Sequence, residues 1–229
     1  VVPDNLTCSI LVFSHVTCFG ENNGTATLSV QGGTPPYTYQ WDTDPIQNGN
    51  SAVNLAAGQY HVTVSDYNNF QTSTTVAISQ PADLVVSGTK TDATCNLPNG
   101  SIDLTVTGGT IPYQFLWSNN ATTSDIGNLN ENEYSVVISD ANNCIITYRD
   151  SVIGKPFPQL FLESLVNETC NLSNASIKVF LEGGTDPVNY LWSNGNSNSD
   201  YLAGISEGNY VVSVEDADGC FDSLSLYVS

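Results

Sequence analysis

One pattern of residues recurs three times along the chain at a nearly constant interval. A Gly-Gly-Thr triplet begins at Gly32, Gly108 and Gly183, in steps of 76 and 75 residues. A tryptophan follows each triplet and keeps the same steps: Trp41, Trp117 and Trp192. This interval is longer than the roughly 20–50 residues of a solenoid repeat, and three intervals fill the 229 residues. The sequence therefore predicts three small domains in tandem, over residues 1–80, 81–155 and 156–229.

The second repeat indicates most clearly what each domain folds into. Residues 101–106 alternate polar and apolar side chains, which is the period of a half-buried strand. Tyr113, Phe115 and Trp117 follow at spacing two, so they face one side of the next strand. No segment holds a helical period. We therefore predict an all-β fold of three immunoglobulin-like β-sandwiches with about six to seven strands each, joined by proline-containing linkers into an elongated rod.

Four of the six cysteines occupy matched positions. Cys95 and Cys144 are 49 residues apart and Cys170 and Cys220 are 50 apart, each pair following the first strand and preceding the last strand of its repeat. Six strands with loops at alternating ends would bring both cysteines of a pair to one end. We therefore predict the disulfides Cys95–Cys144 and Cys170–Cys220 in an oxidising compartment. A metal site would need clustered ligands, and the spacing offers none.

The first repeat departs from this pattern because Phe70 stands where the second repeat has Cys144. An additional Cys8 precedes Cys18. A bond between these two would leave no thiol over, but it requires the segment between them to fold back, since bridged Cα atoms lie within about 7 Å. The pairing of Cys8 and Cys18 stays open.

The charge of the chain argues against two classes of partner. Four Lys+Arg and 23 Asp+Glu give a net charge of −19, which repels the phosphates of nucleic acids and anionic membranes. No apolar run approaches the length of a membrane span, and no leader-like segment opens the chain. We expect no nucleic-acid partner and no membrane span, and we interpret the chain as an excerpt from a longer secreted protein.

The combined motif resembles a known family. In the first repeat, residues 32–41 read Gly-Gly-Thr-Pro-Pro-Tyr-Thr-Tyr-Gln-Trp and precede Gly58, Tyr60, Val62, Val64 and Asp66. This combination is similar to the SprB-type repeat of the large cell-surface adhesins of gliding bacteria, and the resemblance covers all three repeats. The third repeat departs from the family pattern at residues 186–188, where it reads Asp-Pro-Val, and the first lacks the second cysteine.

The resemblance implies export by the type IX secretion system, display on the outer cell surface, and a part in gliding motility and attachment. No catalytic residues come with the family, and no catalytic arrangement recurs in the repeats. We expect a non-catalytic stalk segment of an adhesin, whose partners are neighbouring repeats and a surface polysaccharide or another substratum. The alternatives are an array of carbohydrate-binding modules and passive accessory repeats of a secreted hydrolase.

The aromatic residues of each repeat have two interpretations. We favour packing in the core of a small sandwich over a platform on which sugars stack. A platform would need aromatic side chains at the outward positions of the same strands. Those positions are Thr38, Gln40, Gln114, Leu116, Asn189 and Leu191.

Aspartates and two serines complete the candidate sites. We expect Asp66, Asp140 and Asp216 to cap backbone N–H groups of hairpin turns, with calcium binding at Asp140, Asp216 and Asp218 as the alternative. No full set of calcium ligands is visible, and no other cofactor is expected. Ser151 and Ser223 each follow an aspartate and precede an apolar residue, which fits a short pattern of bacterial surface O-glycosylation.

Overall fold

The computed structural model describes residues 5–170 and 172–229. Within these residues it contains eighteen β-strands and no helix, which confirms the predicted all-β class. The strands of the first repeat are β1 (Thr7–Ser14), β2 (Gly24–Gln31), β3 (Thr38–Trp41), β4 (Ser51–Leu55), β5 (Gly58–Ser65) and β6 (Gln71–Ile78). Those of the second are β7 (Val85–Thr91), β8 (Gly100–Thr107), β9 (Gln114–Trp117), β10 (Ile126–Leu129), β11 (Asn132–Ser139) and β12 (Ile145–Val152). Those of the third are β13 (Gln159–Val166), β14 (Ala175–Glu182), β15 (Asn189–Trp192), β16 (Tyr201–Ile205), β17 (Gly208–Glu215) and β18 (Phe221–Val228).

Each repeat places its six strands in two three-stranded sheets. The sheets have the orders β1-β2-β4 and β3-β5-β6, β7-β8-β10 and β9-β11-β12, and β13-β14-β16 and β15-β17-β18. This is the A-B-E and C-F-G arrangement of an immunoglobulin sandwich that lacks strand D. The prediction of tandem immunoglobulin-like repeats is therefore confirmed.

The aromatic strand of each repeat turns its tryptophan into the core. Trp41, Trp117 and Trp192 are at most 2% exposed, and each indole N–H donates to a backbone carbonyl 2.9–3.0 Å away. The outward residues of the same strands are exposed, among them Gln40 and Leu116. The tryptophans therefore pack as core residues and present no face to a sugar.

A tyrosine at the start of the fifth strand fixes the preceding corner in every repeat. Each hydroxyl donates to a backbone carbonyl four residues upstream: Tyr60 to Ala56 at 3.2 Å, Tyr134 to Asn130 at 3.1 Å and Tyr210 to Ser206 at 3.0 Å. This contact is the tyrosine corner of immunoglobulin-like sandwiches, and it supports the assignment of the fold independently of the strand order.

The described residues form two compact units. The first contains the described residues up to Ser87 together with Thr105–Leu116 and Val136–Tyr148. The second contains Gly88–Leu104, Trp117–Ser135 and Arg149–Ser229. The second repeat thus contributes residues to both units, and the boundaries 1–80, 81–155 and 156–229 stay a prediction.

Candidate functional site: two disulfide-bonded junctions

Two disulfides join residues of consecutive repeats. Cys18 is bonded to Cys144 within the first unit, with Cα atoms 5.6 Å apart, and Cys95 to Cys220 within the second, with Cα atoms 5.2 Å apart. In both cases the loop after the first strand of one repeat is tied to the hairpin before the last strand of the next. The sequence separations, 126 and 125 residues, are correspondingly similar. We call these sites the first and second junction.

These pairings correct the sequence-based prediction. The bonds Cys95–Cys144 and Cys170–Cys220 are wrong, because Cys95, Cys144 and Cys220 are bonded across repeats. Cys8 and Cys18 are not bonded to each other either. Cys8 and Cys170 are free thiols.

The third repeat explains why the cysteines within one repeat cannot pair. Cys170 lies in the loop before β14. Beyond the other end of β14, Thr185 N donates to Asp216 Oδ2 at 3.0 Å, which holds the hairpin that carries Cys220 at that end. An eight-residue strand spans roughly 25 Å, whereas a disulfide requires Cα atoms within about 7 Å.

Each repeat has six strands, within the predicted six to seven, but the assumption that loops alternate between the two ends is wrong. In the first repeat β2 pairs antiparallel with β4 and β3 pairs antiparallel with β5. Strand β2 leads directly into β3, and Thr34 N in the connecting loop donates to Asp66 at the end of β5. The end of β2, the start of β3 and the end of β5 therefore lie at one end of the sandwich. Strands β3 and β4 both run away from that end, in the same direction.

Strand β3 pairs with the half of β5 next to the last hairpin, Val62–Ser65, and β4 pairs with the half of β2 next to the first loop, Gly24–Thr27. Residues 42–50 therefore cross from one sheet to the other partway along the sandwich, and β3 and β4 together make a single passage from end to end. This places the last hairpin at the end opposite the first loop.

Cys8 and Cys18 are kept apart by an extended strand. Cys8 lies near the start of β1, opposite Val30 of β2, and Cys18 lies beyond the end of β1. The segment between them is therefore not folded back on itself, as a Cys8–Cys18 bond would require.

The first junction combines the disulfide with hydrogen bonds from a hairpin asparagine. Asn142 Nδ2 donates to the carbonyl oxygen of Thr17 and to Thr110 Oγ1, each at 3.0 Å. Beside the disulfide lies an open cleft of about 430 Å³ whose lining includes Phe19, Leu84 and Ile145. The loop, the linker and the hairpin therefore meet around one covalent bond.

The second junction adds an ion pair. Lys155 Nζ lies 2.7 Å from Asp218 Oδ1, in the hairpin that carries Cys220. The Lys155 backbone N–H donates to Ala93 O, and Ala93 N donates to Ile153 O, at 2.9 and 3.0 Å. The hydrogen bond from Lys155 lowers the pKa of Asp218, and the same bond raises the pKa of Lys155. Lys155 is not among the residues predicted from the sequence, although a lysine in a linker of so acidic a chain is a usable signal.

The hairpin aspartates bind backbone N–H groups in all three repeats. Each carboxylate is buried and accepts two N–H groups of its own turn and one from the threonine of the Gly-Gly-Thr loop, at 2.8–3.0 Å: Asp66, Asp140 and Asp216. Burial raises the pKa of Asp66 and Asp140, but the three donated hydrogen bonds outweigh it and the pKa of each is lowered. The carboxylates thus anchor each hairpin to the loop between the second and third strands.

These contacts also occupy the residues considered for calcium. Asp140 and Asp216 bind backbone N–H groups, and Asp218 binds Lys155. Among residues 5–170 and 172–229 the structure places no three His, Cys, Asp or Glu side chains together in a group suited to a metal ion. Ser151 and Ser223 are exposed on β12 and β18, and their glycosylation stays a prediction.

All four lysine and arginine side chains of the chain form ion pairs. Besides Lys155–Asp218, these are Lys90–Asp92 at 3.2 Å, Arg149–Glu133 at 3.6 Å and Lys178–Glu163 at 2.8 Å. The remaining acidic side chains therefore set the sign of the surface charge.

In the described part of the chain no helix has the length and apolar character needed to cross a membrane.

A family model matches a segment of each repeat. The family model described as SprB repeat matches three segments, residues 11–45, 87–122 and 162–197. No curated protein matches the chain.

Several solved structures resemble the chain at low sequence identity. A crystal structure of Dpr2 Ig1-Ig2 in complex with DIP-Theta Ig1-Ig3 is 12% identical, with a TM-score of 0.35, over 98% of this chain and 99% of that one. The eight N-terminal Ig domains of Down Syndrome Cell Adhesion Molecule are 14% identical, with a TM-score of 0.46, over 97% of this chain and 36% of that one. A tetra-tandem repeat in the extending region of a large adhesion protein is 15% identical, with a TM-score of 0.28, over 98% of this chain and 74% of that one. All three scores are below 0.5, so the fold assignment rests on the sheets and the tyrosine corners.

Proposed function

Because this chain is built of SprB-type repeats, we propose that it is a non-catalytic stalk segment of a secreted bacterial cell-surface adhesin. The adhesin would be exported by the type IX secretion system, displayed on the outer cell surface, and used in gliding motility and surface attachment. The observation that carries the proposal is the pair of disulfides between consecutive repeats. A segment that transmits tension needs strong links between its domains, and covalent bonds are the strongest links that a secreted protein has.

The junctions support this mechanical role because each combines a covalent and a non-covalent link. The disulfides tie the first repeat to the second and the second to the third. Asn142 at the first junction and Lys155 at the second add polar contacts beside the bond. Disulfides of this kind typically stabilise a fold by about 2–4 kcal/mol each. Their oxidised state also supports a location outside the reducing cytosol.

An array of carbohydrate-binding modules remains the second candidate, and one surface feature favours it. Phe161 and Phe180, on the paired strands β13 and β14, stack with ring centroids 5.2 Å apart. They are 39% and 40% exposed. Because each ring covers one face of the other, less aromatic surface is open to a sugar than two separate rings would offer. We therefore propose that another part of the adhesin binds the substratum.

The test is to exchange the segment within the parent adhesin. One strain carries an unrelated tandem of immunoglobulin-like domains of the same length in place of these 229 residues, and a second strain lacks the segment. A stalk predicts that the exchange keeps attachment and gliding while the deletion weakens them. Surface display of each variant is checked with an antibody on intact cells.

Loss of attachment in the exchanged strain, with normal surface display, would contradict the stalk function. The purified chain is then tested against a polysaccharide array beside its Phe161→Ala variant. Saturable binding that this substitution removes would establish the carbohydrate-binding alternative.

A further inference from the structure

The loop that carries Cys170 has the same construction as the two loops whose cysteines are bonded. In each loop a threonine precedes the cysteine and an asparagine follows a few residues later. The threonine N–H donates to the asparagine Oδ1 at 2.8–3.0 Å, and the asparagine Nδ2 donates to the threonine Oγ1: Thr17 with Asn23, Thr94 with Asn99, and Thr169 with Asn174. This pair of hydrogen bonds therefore fixes the loop of the third repeat in the same way.

The backbone conformation of Cys170 also agrees with that of the bonded Cys95. Cys95 and Cys170 adopt positive φ angles of 57° and 58°, which a non-glycine residue rarely does. Cys95 is bonded to the hairpin of the following repeat, whereas Cys170 is exposed and free. Two equivalent loops of one structure thus use this cysteine for the same bond, and the third holds it in the same loop construction without a partner.

The other free thiol differs from Cys170 in its surroundings. Cys8 lies within β1 and packs against the core of the first repeat. A second copy of the chain has no hairpin thiol to offer, because Cys144 and Cys220 are already bonded and Phe70 replaces the third hairpin cysteine. A hairpin partner for Cys170 would therefore come from another repeat whose hairpin carries a cysteine.

We propose that Cys170 is the loop half of a third inter-repeat disulfide, whose partner is the hairpin cysteine of a following repeat of this kind. That hairpin would read Asp-x-x-x-Cys, as at residues 140–144 and 216–220. The separation of 125–126 residues in the existing bonds places it one repeat beyond the third. The inference extends the proposed stalk, because it makes the covalent linkage continuous from repeat to repeat.

The bond forms by ordinary thiol–disulfide exchange. The two cysteine thiols lose two protons and two electrons, and a disulfide oxidant such as oxidised glutathione accepts them and becomes two thiols. Oxidised glutathione supplies this role in the test below.

The test extends the full chain by a second copy of residues 156–229. The appended copy carries Cys170→Ser, so that it offers only its hairpin cysteine. After oxidation with glutathione disulfide, we expect Cys170 of the original chain to lose its labelling by maleimide, and peptide mapping without reductant to find it bonded to the appended hairpin. The matched control adds Cys220→Ser in the appended copy and should keep Cys170 fully labelled.

Three results would overturn the proposal: Cys170 still labelled beside a folded appended repeat, Cys170 bonded to Cys8, or Cys170 bonded to its equivalent in a second copy. Folding of the appended repeat is read from its own melting transition in the control protein. If that repeat does not fold, a copy of residues 81–155 with Cys95→Ser replaces it, and its Cys144 is the expected partner. Because attachment is not measured, these results are independent of the test of the stalk function.

Discussion

At the scale of single residues, the buried hairpin aspartates hold the last turn of each repeat. Asp140 is 3% exposed and accepts three backbone N–H groups, two from its own turn and one from Thr110. An asparagine in its place keeps the shape but replaces one acceptor oxygen by a donor. A buried N–H left without an acceptor costs about 1–3 kcal/mol.

We therefore expect Asp140→Asn to lower the free energy of unfolding by about 1–3 kcal/mol. The measurement is urea unfolding followed by tryptophan fluorescence. Asp103→Asn is the matched control, because Asp103 is exposed on β8 of the same repeat. Equal effects of the two substitutions would show that the loss of charge, and not the loss of the backbone contacts, is responsible.

The same carboxylates predict how stability depends on pH. The pKa values of Asp66 and Asp140 are lower in the folded chain than the value of about 3.9 expected when it is unfolded. Below that value the unfolded state binds more protons than the folded state, so acid favours unfolding. Their contribution is fully present above about pH 4 and is lost as the pH falls through the folded pKa values.

We expect the urea concentration at the midpoint of unfolding to decrease as the pH is lowered below 4. The decrease should be less steep in the Asp140→Asn variant. Urea unfolding at a series of pH values from neutral to acid measures both slopes. Identical slopes for the two proteins would mean that Asp140 does not hold a lowered pKa.

At the scale of elements, the Gly-Gly-Thr loop packs against the linker that enters its own repeat. Gly108 has a φ of 76°, and a Cβ at this position would overlap the carbonyl oxygen of Asp83. Gly183 has the same relation to Phe157 O in the third repeat. The first glycine of the triplet therefore leaves room for the linker.

We expect Gly108→Ala to destabilise the chain by at least about 1 kcal/mol, because the left-handed conformation is unfavourable for alanine and the linker must move. Thermal melting measures the effect. Gly127→Ala is the control, since a Cβ there meets nothing within 4 Å. A melting point as low in Gly127→Ala would refute the role of the linker contact.

The sequence predicted the elements well and the cysteine partners poorly, for physical reasons. A strand and its inward face are indicated by local signals, namely alternating apolar residues and the position of Trp117 among them. The turn at Asp140 is likewise determined by residues close to it in the sequence. The partner of Cys95 depends on which end of the sandwich each loop occupies. That depends on the path of residues 42–50 and their equivalents, which carry no hydrophobic period. Matched spacing within a repeat could not distinguish a bond inside a repeat from a bond to the next one.

At the scale of the whole molecule, the two disulfides overlap along the chain. The loop closed by Cys18–Cys144 contains Cys95, and the loop closed by Cys95–Cys220 contains Cys144. When the oxidised chain is fully stretched, tension therefore passes through residues 1–18, then backward from 144 to 95, and out through 220–229. This path contains about 80 residues, or roughly 270 Å at about 3.5 Å per residue.

We expect single-molecule pulling to give a maximum length of roughly 270 Å for the oxidised chain and roughly 800 Å after reduction. Disulfides within the second and third repeats would give roughly 450 Å instead. The measurement is the contour length after the last unfolding event, with Cys18→Ser plus Cys144→Ser as the control that opens one loop. An oxidised length near 450 Å would refute the observed pairing.

The overlapping disulfides also determine the effect of a single proteolytic cleavage. A cut at any one peptide bond between Cys18 and Cys220 leaves two fragments that a disulfide still holds together. On a gel without reductant the nicked protein should keep the mass of the intact one, and it should separate into two bands once reduced. A cell that displays such a chain would not shed its outer end after a single cleavage in an exposed turn.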